Sequence, residues 1–138
     1  MKYYFVCKED TVICDDGTVR FETALCFLSR REDSAKIAYD ELALAAHCDS
    51  LWLGDCYGSP KTNNDVIVGI YVERIDGYPC FPVTVQNSEK GCKNWWNHHW
   101  KEYAMEGESK PNLQRKMYVD HDGYLFFINM KLDEKYHC

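Results

Sequence analysis

Three times in this chain an Asp-Gly pair stands between runs of β-branched and aromatic residues: Asp16-Gly17, Asp76-Gly77 and, after His121, Asp122-Gly123. Asp and Gly tolerate the positive φ that a tight hairpin turn needs to match the twist of its flanking strands. Each pair therefore predicts a hairpin. The first joins "TVIC" (11–14) to "TVRF" (18–21), with "KYYFVC" (2–7) as further β-structure ahead of it. The second joins the run beginning "DVIVGIYV" at Asp65 to "PCFPVTV" (79–85). In it Val66, Val68 and Ile70 alternate with Ile67, Gly69 and Tyr71, apolar on both faces, which reads as a central strand. Pro79 and Pro82 cannot donate to a ladder, so the returning run reads as an edge strand or one carrying a bulge. The third hairpin spans 115–132.

Between the hairpins the period changes. "DSAKIAYDELALAAHC" (33–48) opens on Asp33 or Ser34 as N-cap and continues in strong helix formers. Ala35, Ala38, Leu42 and Ala45 form one stripe, and Lys36 and Asp40 are spaced for an i,i+4 pair. A second helix is predicted over 95–106, from Asn94 as N-cap to Gly107 after its end. "ETALCFLSRR" (22–31) fits either a buried strand or a first helix and is taken as a short helix, and "GDCYGSPKTNND" (54–65) reads as a loop. The order ββαββαββ predicts an α+β fold: an antiparallel or mixed sheet built from hairpins, with two or three helices packed on one face. At 138 residues a single compact domain over 1–138 is expected.

Sixteen basic and 22 acidic residues leave a net charge of −6, which opposes binding to a nucleic-acid duplex. No run approaches the roughly 18 apolar residues that cross a bilayer, and the opening is too short for a signal peptide, so no membrane partner and a cytoplasmic location are expected. A reducing cytosol would keep most of the eight cysteines free, and Cys7, Cys14, Cys26 and Cys80 read as small core residues.

"GCKNWWNHHWKEYAMEG" (91–107) holds three of the four tryptophans and two of the five histidines. On a helix Trp96, Trp100 and Tyr103 share a side, which predicts a core-facing stripe and leaves Trp95, His98, Lys101 and Glu102 as a candidate binding surface. A structural zinc is disfavoured, because Cys92 and His99 are two helical turns apart and no C-x-x-C pair exists. A base-stacking pocket for a nucleotide or cyclic oligonucleotide would draw on these aromatics together with Arg30, Arg31 or Arg115. No catalytic motif, metal-ligand spacing or cofactor fingerprint is present, so an enzyme is the weaker expectation, through a Cys–His pairing.

Carboxylates recur in "CKED", "CDDG", "YDE", "MEGE" and "LDEK". Such a field favours a basic partner. The expectation is a non-enzymatic acidic binding protein, an inhibitor or sequestering partner of a basic, nucleic-acid-handling protein. One instance would be an accessory protein of a mobile element that acts against a host enzyme. The alternatives are a nucleotide-sequestering protein and a small Cys/His enzyme or zinc-binding domain. An oligomer is compatible with the sequence.

Overall fold

The computed structural model describes residues 1–45, 50–72, 81–102, 113–114 and 124–135. Its strands are β1 (Lys2–Ile13), β2 (Val19–Ser29), β3 (Ser50–Gly58), β4 (Asp65–Val72), β5 (Phe81–Gln86), β6 (Leu113–Gln114) and β7 (Tyr124–Lys131). Helix α1 (Glu32–Ala45) follows β2, and α2 (Glu89–His99), extended by a 3-10 turn at Trp100–Glu102, follows β5. All the strands lie in one sheet, in the order β2-β1-β3-β5-β4-β7-β6. It is mixed: β3–β5 and β6–β7 pair parallel, the other neighbours antiparallel. The fold is α+β.

The first hairpin forms as its turn chemistry requires. Gly17 takes φ +83°, and the Gly17 amide donates to the Cys14 carbonyl at 2.9 Å. The Asp16 carboxylate accepts from the Thr18 hydroxyl and amide, which holds its carboxyl below the usual carboxylate range. The strands run further than expected. Residues 22–29 are not a helix but the continuation of β2, pairing with β1 from Glu22↔Asp10 to Ser29↔Tyr4. Cross-strand burial on β1 outweighs local helix propensity there. Asp76-Gly77 and Asp122-Gly123 lie outside the described residues.

Other boundaries also moved. The Ser29 hydroxyl accepts the Arg31 amide and the Arg31 carbonyl accepts from Ala35, so α1 begins ahead of the expected Asp33 or Ser34 cap. Lys36 pairs with Glu32 at 2.8 Å, one turn back, rather than with Asp40. The segment read as a loop from 54 belongs, up to Gly58, to β3. Ser88, not Asn94, caps α2, its hydroxyl accepting the Gly91 amide at 3.1 Å, and the helix ends at His99 rather than 106. The short β6 pairs parallel to β7, and the first arm and turn of the expected third hairpin, 115–123, lie outside the described residues. β5 is not an edge: β4 flanks it on one side and, at Tyr57↔Thr84 and Gly58↔Val85, β3 on the other. Pro82 is accommodated because it precedes the β3 contact and sits opposite Ile70, where the β4 ladder shifts register.

Alternation along the strands divides the core. Tyr3, Phe5 and Cys7 of β1, Val66, Val68 and Ile70 of β4, and Val85 of β5 form the central cluster with Leu28, Cys56, Met130 and Leu132. The intervening residues serve the helices: Ala35 and Ala38 of α1 pack on Val6 and Phe27, while Cys92 and Trp96 of α2 pack on Tyr71, Val83 and Phe127. After β7 the chain bonds to the opposite end of the sheet. The Asp133 amide donates to the Leu28 carbonyl at 2.8 Å, and the buried Ser29 hydroxyl donates to the Asp133 carboxylate at 2.6 Å. Asp133 takes φ +62° to make both bonds. The sheet is nearly closed as a result.

The cysteines divide too. Cys7, Cys14, Cys56 and Cys92 are free thiols. Cys26, expected as a free core thiol, is buried but disulfide-bonded.

Candidate functional site

β3 and β5 touch at two residue pairs only, and what brings them together is a glycine. An added Cβ at Gly58 would lie 2.9 Å from both the Val85 Cβ and the Tyr3 ring, and nearer still to the Val85 carbonyl oxygen. Only a bare Cα fits this approach. Immediately after it the Ser59 amide donates to the Val85 carbonyl at 2.8 Å. Before Tyr57, which pairs with Thr84, no pairing is made, and the strands part. A cleft of about 520 Å³ opens in the fork. Asp55, Cys56 and Tyr57 form the β3 wall, and Phe81, Pro82 and Val83 the β5 wall. The end of α2 covers it with Trp95, His99 and Glu102.

A continuous aromatic stack leads from the core into this cleft. Tyr71 lies 5.8 Å from Trp96, which is fully buried, and Trp96 lies 6.3 Å from Trp95 at an interplanar angle of 24°. The last contact is the tightest: the Trp95 and His99 rings stack at 4.6 Å and 12°. The i,i+4 helical spacing places them so. The His99 Nδ1–H donates to the Trp95 carbonyl at 2.8 Å, which fixes the imidazole plane and leaves Nε2 as the free ring nitrogen.

Two carboxylates from separate elements, Asp55 and Glu102, complete the lining, and both are exposed. Asp55 already faces a cation: the Lys2 Nζ lies 3.8 Å from its carboxylate and 5.8 Å from the centroid of the Tyr57 ring. Both side chains of this ion pair are more than two-fifths exposed, so it is weak and easily exchanged. The Lys101 Nζ lies 5.8 Å over the Trp100 ring in the same way, beside Glu102.

Cys56 and His99 are the one Cys–His juxtaposition on the cleft wall, and nucleophilic catalysis by that thiol is opposed by its surroundings. Burial, with a smaller contribution from the Asp55 charge, pushes the Cys56 thiol up to about 12. A thiol so protonated at neutral pH is a poor nucleophile. Among the described residues no three His, Cys, Asp or Glu side chains gather where they would hold a metal ion. No described helix is long and apolar enough to cross a membrane.

Of the residues singled out in the sequence, the fold brings Trp95 and Glu102 together on the cleft. His98 is exposed and not on its lining, its Nδ1–H donating to the Asn94 carbonyl at 2.7 Å, and Lys101 rests on Trp100. Arg30 is engaged elsewhere: it donates to the Thr62 carbonyl and hydroxyl and to the Asn63 carbonyl. Arg31 lines a separate shallow depression beside Ile37 and Glu41 of α1. Arg115 lies outside the described residues. Sequence reasoning missed Asp55 and Tyr57, whose only signal was the alternation of "LWLGDCYG", and His99, whose signal was its four-residue offset from Trp95.

The chain matches no known protein family, no curated protein and no solved structure.

Proposed function

We propose that this protein is a non-enzymatic acidic binding protein that captures a basic protein partner through the cleft between β3 and β5. The observation that carries the reading is the pairing of two exposed carboxylates, Asp55 and Glu102, with aromatic walls from Trp95, Tyr57 and Phe81. Aromatic faces attract cations, and carboxylates beside them add charge and hydrogen-bond acceptors. The net charge of −6 steers a basic partner towards the molecule. In this reading both helices lie on one face of the sheet, as the alternation along β1 and β4 supports, and a nucleic-acid-handling protein inhibited by occlusion is one such partner.

A nucleotide pocket is the poorer fit. Phosphates would meet two carboxylates, and Arg30, a cation that the nucleotide reading needs, is engaged with the 62–63 backbone. The test uses an arginine- and lysine-rich polypeptide as probe. Capture by the wild-type protein should weaken at least tenfold in the Asp55→Asn, Glu102→Gln double variant with little change in melting temperature. It should also weaken as salt rises from low to physiological, because exposed charges are screened beyond about 8 to 10 Å. Capture that ignores both the double variant and salt would defeat the proposal.

A further inference from the structure

Lys2 sits against two residues of the cleft wall. Its ammonium lies between the Asp55 carboxylate and the Tyr57 ring face, at 3.8 Å and 5.8 Å. Lys2 and Tyr57 are cross-strand partners, so the register of β1 on β3 delivers this cation to the rim. The chain thus places one of its own cations in a half-exposed subsite built of a ring and a carboxylate.

We infer that this subsite is an arginine-recognition site, in which a partner's guanidinium displaces Lys2, lies on the His99 end of the aromatic stack and donates to Asp55 and Glu102. The inference rests on the binding reading above and specifies what is bound. An ammonium is a compact point charge, satisfied by one carboxylate and one ring, as Lys2 already is. A guanidinium is planar, stacks on flat rings and presents five donors in its plane, so it can serve two carboxylates from different elements at once. The cleft supplies that combination. One face of the His99 ring is covered by Trp95, and the hydrogen bond from Nδ1 to the Trp95 carbonyl prevents the ring from turning. Asp55 from β3 and Glu102 from the 3-10 turn are acceptors on separate walls of the cleft. A cleft of about 520 Å³ is larger than one side chain needs, which leaves space for the flanking backbone of an exposed peptide segment.

The experiment titrates full-length protein with three end-blocked pentapeptides, Gly-Gly-Xaa-Gly-Gly, in which Xaa is arginine, lysine or the neutral isostere citrulline. Tryptophan fluorescence and calorimetry serve as readouts. The arginine peptide should bind at least tenfold more tightly than the lysine peptide, and the citrulline peptide should not bind measurably. Lys2→Gln, a surface change, should tighten the arginine peptide several-fold by removing the internal competitor. His99→Ala should reduce the arginine-over-lysine ratio more than it weakens the lysine peptide, with folding checked by the melting temperature. His99→Phe, which keeps a flat ring, should retain the ratio.

Equal binding of the arginine and lysine peptides, both weakened in the Asp55→Asn, Glu102→Gln variant, would overturn the arginine inference and leave the binding reading standing. So would capture of the basic polypeptide without binding of any pentapeptide by the wild type or by Lys2→Gln. Failure to capture any basic probe would overturn both.

Discussion

The indole of Trp95 and the imidazole of His99 stack at 4.6 Å with their planes 12° apart, one helical turn from each other at the end of α2. On its other side Trp95 meets Trp96, which has no exposed surface, so the stack couples a core residue to a cleft residue through one intermediate ring. The two neighbouring tryptophans therefore have different work. Trp96→Ala should destabilise the fold by about 3 to 5 kcal/mol, because it empties a fully buried site among Tyr71, Val83 and Phe127. Trp95→Ala should cost the fold less and cleft binding more, since His99 loses its stacking partner. Chemical denaturation of both variants beside a binding titration decides this; equal losses of stability would refute the division.

Gly58 makes a second prediction, on the geometry that creates the cleft. Gly58→Ala puts a methyl against the Val85 backbone and the buried Tyr3 ring, and neither can retreat, since Val85 and Tyr3 are themselves fully buried. The β3–β5 contact should separate, at a loss of about 1 to 3 kcal/mol for overpacking. Amide exchange at Ser59, whose N–H donates to the Val85 carbonyl, should accelerate with it. Unchanged protection at Ser59 would show that the strands are held by something other than this approach.

How far this arrangement was legible in the sequence varied by element. Asp16-Gly17 was decisive, because its turn needs only two residues and their local φ preferences. Trp96 as a core residue followed from helical spacing, which survives an error in where the helix begins. β2 past Glu22 was not legible: "ETALCFLS" is compatible with helix or strand, and pairing with β1, distant information, selects the strand. Pro82 suggested an edge or a bulge, and of the two the register shift opposite Ile70 is what accommodates it inside the sheet. The cleft was the least legible feature. It depends on two strands that meet at Tyr57 and Gly58 and part before them, and no local pattern encodes a parting.

The buried thiols predict a pH dependence. Burial first, then the charges of Asp55 and Glu89 respectively, raise Cys56 and Cys92 from an ordinary 9.0 to about 12. Between those values the folded chain retains protons that the unfolded chain releases. Stability from these thiols is thus complete below pH 9 and is lost as pH rises towards 12. By pH 11 the loss should be on the order of 2 to 3 kcal/mol per thiol. Urea unfolding at pH 8 and pH 10.5 should show it, with a shallower fall in the Cys56→Ala, Cys92→Ala double variant. Identical slopes in the two proteins would assign the alkaline loss to other groups.

Cys26 yields the last prediction, one that bears on where the protein works. It is disulfide-bonded in the interior of β2, with no exposed surface, whereas Cys7, Cys14, Cys56 and Cys92 are free. Of eight cysteines, Cys26 and its partner are removed from the free pool, so denatured protein purified without reductant should show at most six titratable thiols. Peptide mapping of the same sample should return a cross-linked Cys26 peptide. A persistent disulfide belongs to an oxidising environment, and a reducing cytosol opposes it. The cytoplasmic expectation therefore conflicts with the bond, and the count arbitrates. Six thiols or fewer in protein extracted under alkylating conditions would argue for maturation outside the reducing cytosol. Eight would mean that Cys26 remains a thiol in the cell, and the nearly closed sheet would then be held by the Ser29–Asp133 contact and the central cluster without that covalent bond.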